Sequence, residues 1–196
     1  YIVYFSDWDV KRRYCNVNEL LGLIGEQRGF VKALRKDMKS NLEQIKTVVF
    51  TGGEPCLQRQ ALLSLCRYCK DGGIKTVLDT NGSKPDSIRS LVKENLIDEI
   101  VLDIKTPFSV EVFSNITNAG TFFRDAETIL NEDLKDTIKI LKESDVRLII
   151  KTVVVPSLMY RKEDILEIAS IIEGIGCEWV LKRLSNEGLF VNKRFE

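Results

Sequence analysis

Histidine is absent from all 196 residues. Its absence removes the commonest general base near neutral pH and the commonest nitrogen ligand for metals, so Ser-His-Asp hydrolysis and histidine–zinc catalysis are excluded. No apolar run approaches the ~18 residues of a membrane-spanning helix, and no signal-peptide pattern opens the chain. Excess charge is also missing, because 29 Lys+Arg balance 29 Asp+Glu. That argues against a general nucleic-acid or membrane-surface binder, though a local basic patch is still allowed. Cysteine is present five times, an odd number that does not suggest a disulfide framework; the expected compartment is reducing and cytoplasmic. No Pro- or Gly-rich linker divides the chain, which predicts one domain over 1–196. It opens on Tyr1 within a core-like strand, so the natural protein is expected to extend further N-terminally.

What is present is alternation. Apolar, β-branched runs predict strands at 1–6, 47–51, 74–78, 97–104, 146–155 and 178–184. Helical spacing predicts helices over 19–35, 58–70, 85–95, 126–143 and 163–175, with Gly72-Gly73 stopping the second. The stretches 36–44 and 106–121 read as polar connection and as irregular or weakly helical chain. Strands alternating with helices give an α/β fold with a parallel sheet. Six strands are too few for a closed eight-stranded barrel; a partial barrel and a doubly wound sheet both fit.

The chain is organised around Val48-Val49-Phe50-Thr51-Gly52-Gly53-Glu54-Pro55, a strand that runs into two glycines, an acid and a proline. Paired glycines allow a sharp turn and close approach of a ligand to the backbone. Glu54 stands at a strand's carboxyl end, where α/β proteins place their ligands. Asp79 and Asn81 follow the third strand, Asp103 and Lys105 the fourth, and Lys151 lies in the fifth. Parallel strands bring such ends to one face. Carboxylates there suit an amine or a ribose, and lysines suit a carboxylate, so the set fits a zwitterionic, hydroxyl-rich ligand. Singly, each residue is as well explained as a solvated capping group.

With these motifs in order, the sequence resembles the radical S-adenosylmethionine superfamily, in the small branch that activates glycyl-radical enzymes. Pyruvate formate-lyase activases and anaerobic ribonucleotide reductase activases belong there. The matching pieces are Val3-Tyr4-Phe5-Ser6, Tyr14-Cys15-Asn16, Thr51-Gly52-Gly53-Glu54-Pro55, Leu78-Asp79-Thr80-Asn81-Gly82, Leu102-Asp103-Ile104-Lys105 and Lys151-Thr152-Val153-Val154-Val155-Pro156. The resemblance implies a (βα)6 partial TIM-like barrel with its site at the carboxyl-end mouth. It implies that Gly52, Gly53 and Glu54 hold the methionine amine and that Tyr14, beside Cys15 and Asn16, packs near the adenine. Asp103, Ile104 and Lys105, with Asp79, Asn81 and Lys151, would meet ribose and carboxylate. The cofactors implied are S-adenosylmethionine and a 4Fe-4S cluster. The activity implied is reductive cleavage to a 5′-deoxyadenosyl radical that takes hydrogen from a protein partner, such as a glycyl-radical enzyme.

One element departs from the family. Its three cluster cysteines are spaced Cys-x3-Cys-x2-Cys. Counting back from Cys15 places Arg12 and Trp8 at the other two positions, and neither side chain can ligate iron. Only Cys15 is available as a metal ligand. Among the other cysteines, Cys66 and Cys69 lie at i and i+3 on a helix and read as core. Cys177 reads as structural, and Cys56, after Pro55, is the candidate for an extra ligand. Lys11, Arg12 and Arg13 make the loop basic, suiting an anion or an acidic partner surface. Three classes follow: an activase; a degenerate member that binds S-adenosylmethionine, a nucleotide or a partner without the standard cluster; and a scaffold for protein docking. The intact Gly-Gly-Glu-Pro and Asp-Ile-Lys favour the first two, and Trp8 and Arg12 favour the second over the first.

Overall fold

The computed structural model describes residues 1–5, 31–41, 43–117, 125–155 and 161–184. Six strands form one sheet in chain order: β1 (Ile2–Phe5), β2 (Thr47–Gly52), β3 (Lys75–Thr80), β4 (Glu99–Asp103), β5 (Arg147–Val154) and β6 (Glu178–Arg183). Every neighbouring pair is parallel. Parallel neighbours need crossover connections. Helices lie along them: α1 (Val31–Ser40), α2 (Arg59–Asp71), α3 (Pro85–Lys93), α4 (Val110–Ile116), α5 (126–142) and α6 (Lys162–Ile172). A doubly wound sheet would reverse its strand order at a switch point. This order never reverses, so the α/β fold is an open (βα)6 partial barrel.

The register explains the core. Val3 pairs with Phe50, Phe50 with Leu78, Leu78 with Ile100 and Ile100 with Leu148. All five are buried, forming one apolar row under the helices; full burial of each such side chain contributes about 1.5–3 kcal/mol. Phe5 adds an edge-on contact to Phe50, with ring centroids 6.4 Å apart. Alternate residues face the other way: Tyr4, Thr51, Asp79, Val101, Lys151 and Val180 line the inner face. At the amino ends, Lys75, Glu99, Arg147 and Glu178 form a chain of ion pairs at 3.0–3.2 Å. Lys75, Arg147 and Glu178 are exposed while Glu99 between them is buried, and the chain leaves the carboxyl ends for other chemistry.

Two elements differ from the sequence reading, at 36–44 and 126–143, and a third, at 106–121, is sharpened. The polar stretch at 36–44 is helical as far as Ser40. Lysine and arginine are good helix formers, Met38 is fully buried, and Arg35 ties α1 to α2 through Ser64 (2.6 Å to its carbonyl, 2.8 Å to its hydroxyl). The stretch 106–121 contains α4, started by the Ser109 side chain. The helix at 126–143 is not uniform: α-helical turns at Ala126–Thr128 and Lys135–Lys142 flank a π-helical segment, Ile129–Leu134. That segment keeps Ile129, Leu130 and Leu134 buried against Phe113. Residues 19–30 of the expected first helix lie outside the described residues. No described helix is long and apolar enough to cross a membrane.

Candidate functional site

The rim begins where β2 meets β1. Gly52 has φ +111°, and a Cβ there would lie 2.5 Å from the Phe5 carbonyl oxygen and 2.6 Å from its nitrogen. Only glycine fits so close a backbone approach. The Gly53 N–H then donates to the Phe5 carbonyl at 2.7 Å, closing β1 onto the turn.

Glu54 is fully buried. Its Oε1 accepts from the Cys56 N–H at 3.0 Å and from the Thr80 hydroxyl at 2.7 Å. Its Oε2 accepts from the Asn81 N–H at 2.8 Å. The carboxylate thus caps the 3-10 turn Pro55–Gln58 and ties the end of β2 to the end of β3. Charge-assisted bonds of this kind are the strong ones. Beyond Thr80, the Asn81 side chain accepts from the Ser83 N–H at 2.9 Å. Gly82 (φ +76°) leaves no space for a Cβ, which would fall 2.7 Å from a Leu102 methyl and 2.9 Å from one of Leu134.

A second network faces the inside of the sheet. Lys151 Nζ reaches across β4 to Asp79, 2.9 Å from Oδ1 and 3.2 Å from Oδ2. The Thr51 hydroxyl donates to Asp79 at 3.1 Å. At the end of β4, Lys105 pairs with Asp103 at 3.2 Å, both side chains almost wholly buried. A buried pair holds together because losing either partner strands the other charge. Asn81, Asp103 and Lys105 share a small cleft of about 10 Å³ whose apolar wall includes Phe108 and Phe113.

Gly52, Gly53, Glu54, Asp79, Asn81, Asp103, Lys105 and Lys151 therefore stand at or near the carboxyl ends of β2 to β5, on one rim. Their partnerships fall into three groups: Glu54 with Thr80 and Asn81, Asp79 with Lys151, and Asp103 with Lys105. The Ile104 side chain is buried in the helix-side core, which leaves its backbone for the rim. Trp8, Arg12, Tyr14, Cys15 and Asn16 lie outside the described residues. Thr51 and Thr80 are hydrogen-bond partners of Asp79 and Glu54 that the sequence reading missed; the signal was a hydroxyl beside an acid at the end of an alternating strand.

Cys56 does not sit at the mouth as expected. It is buried beneath Glu54, its sulfur 3.8 Å from the Thr80 hydroxyl, because the 3-10 turn directs it toward the helices. Burial, followed by the nearby Glu54 charge, pushes its thiol well above the ordinary 9.0. Cys66 and Cys69 are buried in the core as the helical spacing predicted; burial first, then the neighbouring Cys69, raises Cys66, and burial raises Cys69 to about 11.

A folded pKa raised above the unfolded value gives stability that is complete below pH 9 and is lost as pH rises through the folded value. Two results are expected. At pH 8, iodoacetamide labels Cys56, Cys66 and Cys69 only after unfolding, read by mass spectrometry. Urea midpoints fall between pH 9 and 11, and Cys69→Ala reduces that slope.

The described residues contain no group of three or more His, Cys, Asp and Glu able to hold a metal ion. In the sequence, Trp8 and Arg12 give no thiolate. The donor set therefore does not fit a cluster held by three cysteines.

The open parallel barrel with a polar carboxyl rim after Gly-Gly-Glu-Pro defines a class, and the chain belongs to it: the Radical SAM superfamily, whose model matches residues 13–169. The match begins after Trp8 and Arg12. Membership implies S-adenosylmethionine and a 4Fe-4S cluster as the family's cofactors, and two of the relatives are named as activating enzymes. A Methanocaldococcus jannaschii protein, named provisionally as a glycyl-radical enzyme activating enzyme, is 30% identical over 173 residues, covering 88% of this chain and 68% of its own. The pyruvate formate-lyase-activating enzyme of Clostridium pasteurianum is 26% identical over 196 residues, covering 98% and 77%. Among solved structures, Streptococcus suis SuiB bound to S-adenosylmethionine superposes with a TM-score of 0.68 at 18% identity. It matches 94% of this chain, which spans only 40% of SuiB. That likeness is one of fold.

Proposed function

We propose that this chain binds S-adenosylmethionine at the carboxyl-end rim and meets a protein partner, of the kind that glycyl-radical enzymes represent. The observation that carries the reading is the rim itself: two acidic groups and two lysines, at Asp79–Lys151 and Asp103–Lys105, beside the Gly52–Gly53 backbone. This set offers acceptors for an amine and ribose hydroxyls and cations for a carboxylate. Glu54 serves it as a positioning residue, since both its oxygens accept from protein donors. Among the two activating-enzyme relatives, one is named for pyruvate formate-lyase, which supports a protein as the partner's kind.

Equilibrium dialysis with labelled S-adenosylmethionine tests the binding. One ligand per chain is expected. Lys151→Met removes a charge-assisted donor worth roughly 1.5–3 kcal/mol, so affinity should fall about tenfold or more while the unfolding transition stays cooperative. Unchanged affinity in this variant, or no binding by the parent chain, contradicts the assignment.

A further inference from the structure

The sequence has five cysteines, and the fold decides where four of them can act. Cys66 and Cys69 are on the inward face of α2, with no solvent exposure. Cys56 is sealed under the Glu54–Thr80 bridge, on the helix side of the sheet. Cys177 precedes Glu178, the first residue of β6, so it stands at the amino end of the sheet. The six residues of β6, at about 3.3 Å each, put roughly 20 Å between it and the carboxyl rim. No described cysteine can reach the rim without unfolding a core element. At the two motif positions before Cys15 stand an indole and a guanidinium.

We infer that this chain brings a single thiolate, Cys15, to its cluster motif, builds no four-iron cluster by itself, and holds S-adenosylmethionine as an intact ligand. Breaking the sulfonium C–S bond to a 5′-deoxyadenosyl radical and methionine consumes one electron. With no cluster to deliver it, the sulfonium has no reductant inside this chain. This inference rests on the proposed S-adenosylmethionine site, but iron content and ligand binding are read separately, so failure of one is distinguishable from failure of the other.

The test compares the full chain with Trp8→Cys/Arg12→Cys, each incubated anaerobically with ferrous iron and sulfide, desalted, and analysed for iron, sulfide and bound S-adenosylmethionine. Dithionite is then added and 5′-deoxyadenosine measured. The parent chain is expected to keep less than about one iron per chain and to return its S-adenosylmethionine unchanged. The double variant is expected to retain about four irons, the content of a complete cluster. Four irons on the parent chain, or 5′-deoxyadenosine formed by it, overturns the inference. Loss of that iron in Cys56→Ser would identify the thiol wrongly excluded. A double variant that folds by circular dichroism yet takes no iron also overturns it, because Trp8 and Arg12 would then not be the missing ligand positions. Absence of S-adenosylmethionine binding with the iron results as expected would refute the proposed site and leave the cluster argument standing.

Discussion

Gly52→Ala is expected to lower stability by about 4 kcal/mol, a large share of the roughly 5–15 kcal/mol that holds an ordinary domain folded. Two costs combine. A φ of +111° is a strained conformation for alanine, a cost of about 1–3 kcal/mol. The new methyl would also lie 2.5 Å from a backbone oxygen of β1, and overpacking against backbone costs about another 1–3 kcal/mol. Relief requires β1 to leave the sheet, because Phe5 cannot retreat while Val3 and Phe5 are buried in the core. Gly73→Ala is the control: its φ is +65°, but nothing lies within 4 Å of the added Cβ. That substitution should cost only about 1 kcal/mol. Urea unfolding of the two variants separates steric closure of the β1–β2 rim from backbone strain alone.

Glu54→Ala is the second large effect, again about 4 kcal/mol. Removing the carboxylate leaves two backbone N–H groups and the Thr80 hydroxyl without their acceptor in a buried site. Each such loss costs roughly 1–3 kcal/mol before relaxation. Glu54→Gln keeps the shape and one acceptor, but its amide nitrogen would face the Asn81 N–H; about half the loss is expected. Thr80→Val removes one donor only, for about 1 kcal/mol. This ordering, Ala worse than Gln worse than Thr80→Val in urea midpoints, distinguishes a carboxylate that ties two strands from a solvated acid at a loop. A solvated Glu54 would make all three nearly silent.

The parallel α/β alternation was legible because its strands are dense in β-branched residues, as at Val48–Val49–Phe50 and Leu148–Ile149–Ile150, with helical periods between them. Gly-Gly-Glu-Pro was legible as a sharp turn at a strand's carboxyl end because paired glycines before an acid and a proline stop a strand abruptly. The direction of the Glu54 carboxylate was not. It depends on Thr80 and Asn81, 26 and 27 residues away, arriving at the end of the neighbouring strand. Periodicity cannot express that arrival. The last turn of α1, residues 36–40, was hidden because Met38 is its one buried side chain beside Lys36, Asp37 and Lys39, too thin an apolar stripe to announce itself. The π segment of α5 was hidden for another reason: it shifts the helical phase locally while keeping Ile129, Leu130 and Leu134 inside. Cys56 was misplaced because a proline followed by one residue does not reveal which side of the sheet a 3-10 turn will face. The rim assignments of Asp79, Asp103, Lys105 and Lys151 followed from strand-end logic alone, whereas their pairing followed from register: Lys151 stands opposite Asp103 but reaches to Asp79.

The proposed S-adenosylmethionine site is the carboxyl-end rim. Hydrogen-exchange mass spectrometry of the full chain, with and without saturating S-adenosylmethionine, tests it most directly. Added protection is expected in peptides spanning 52–58, 79–84 and 103–108, with none at the amino-end turns 72–74, 95–98 and 143–146. Protection confined to the amino-end turns, or no change anywhere at saturating ligand, would contradict the account.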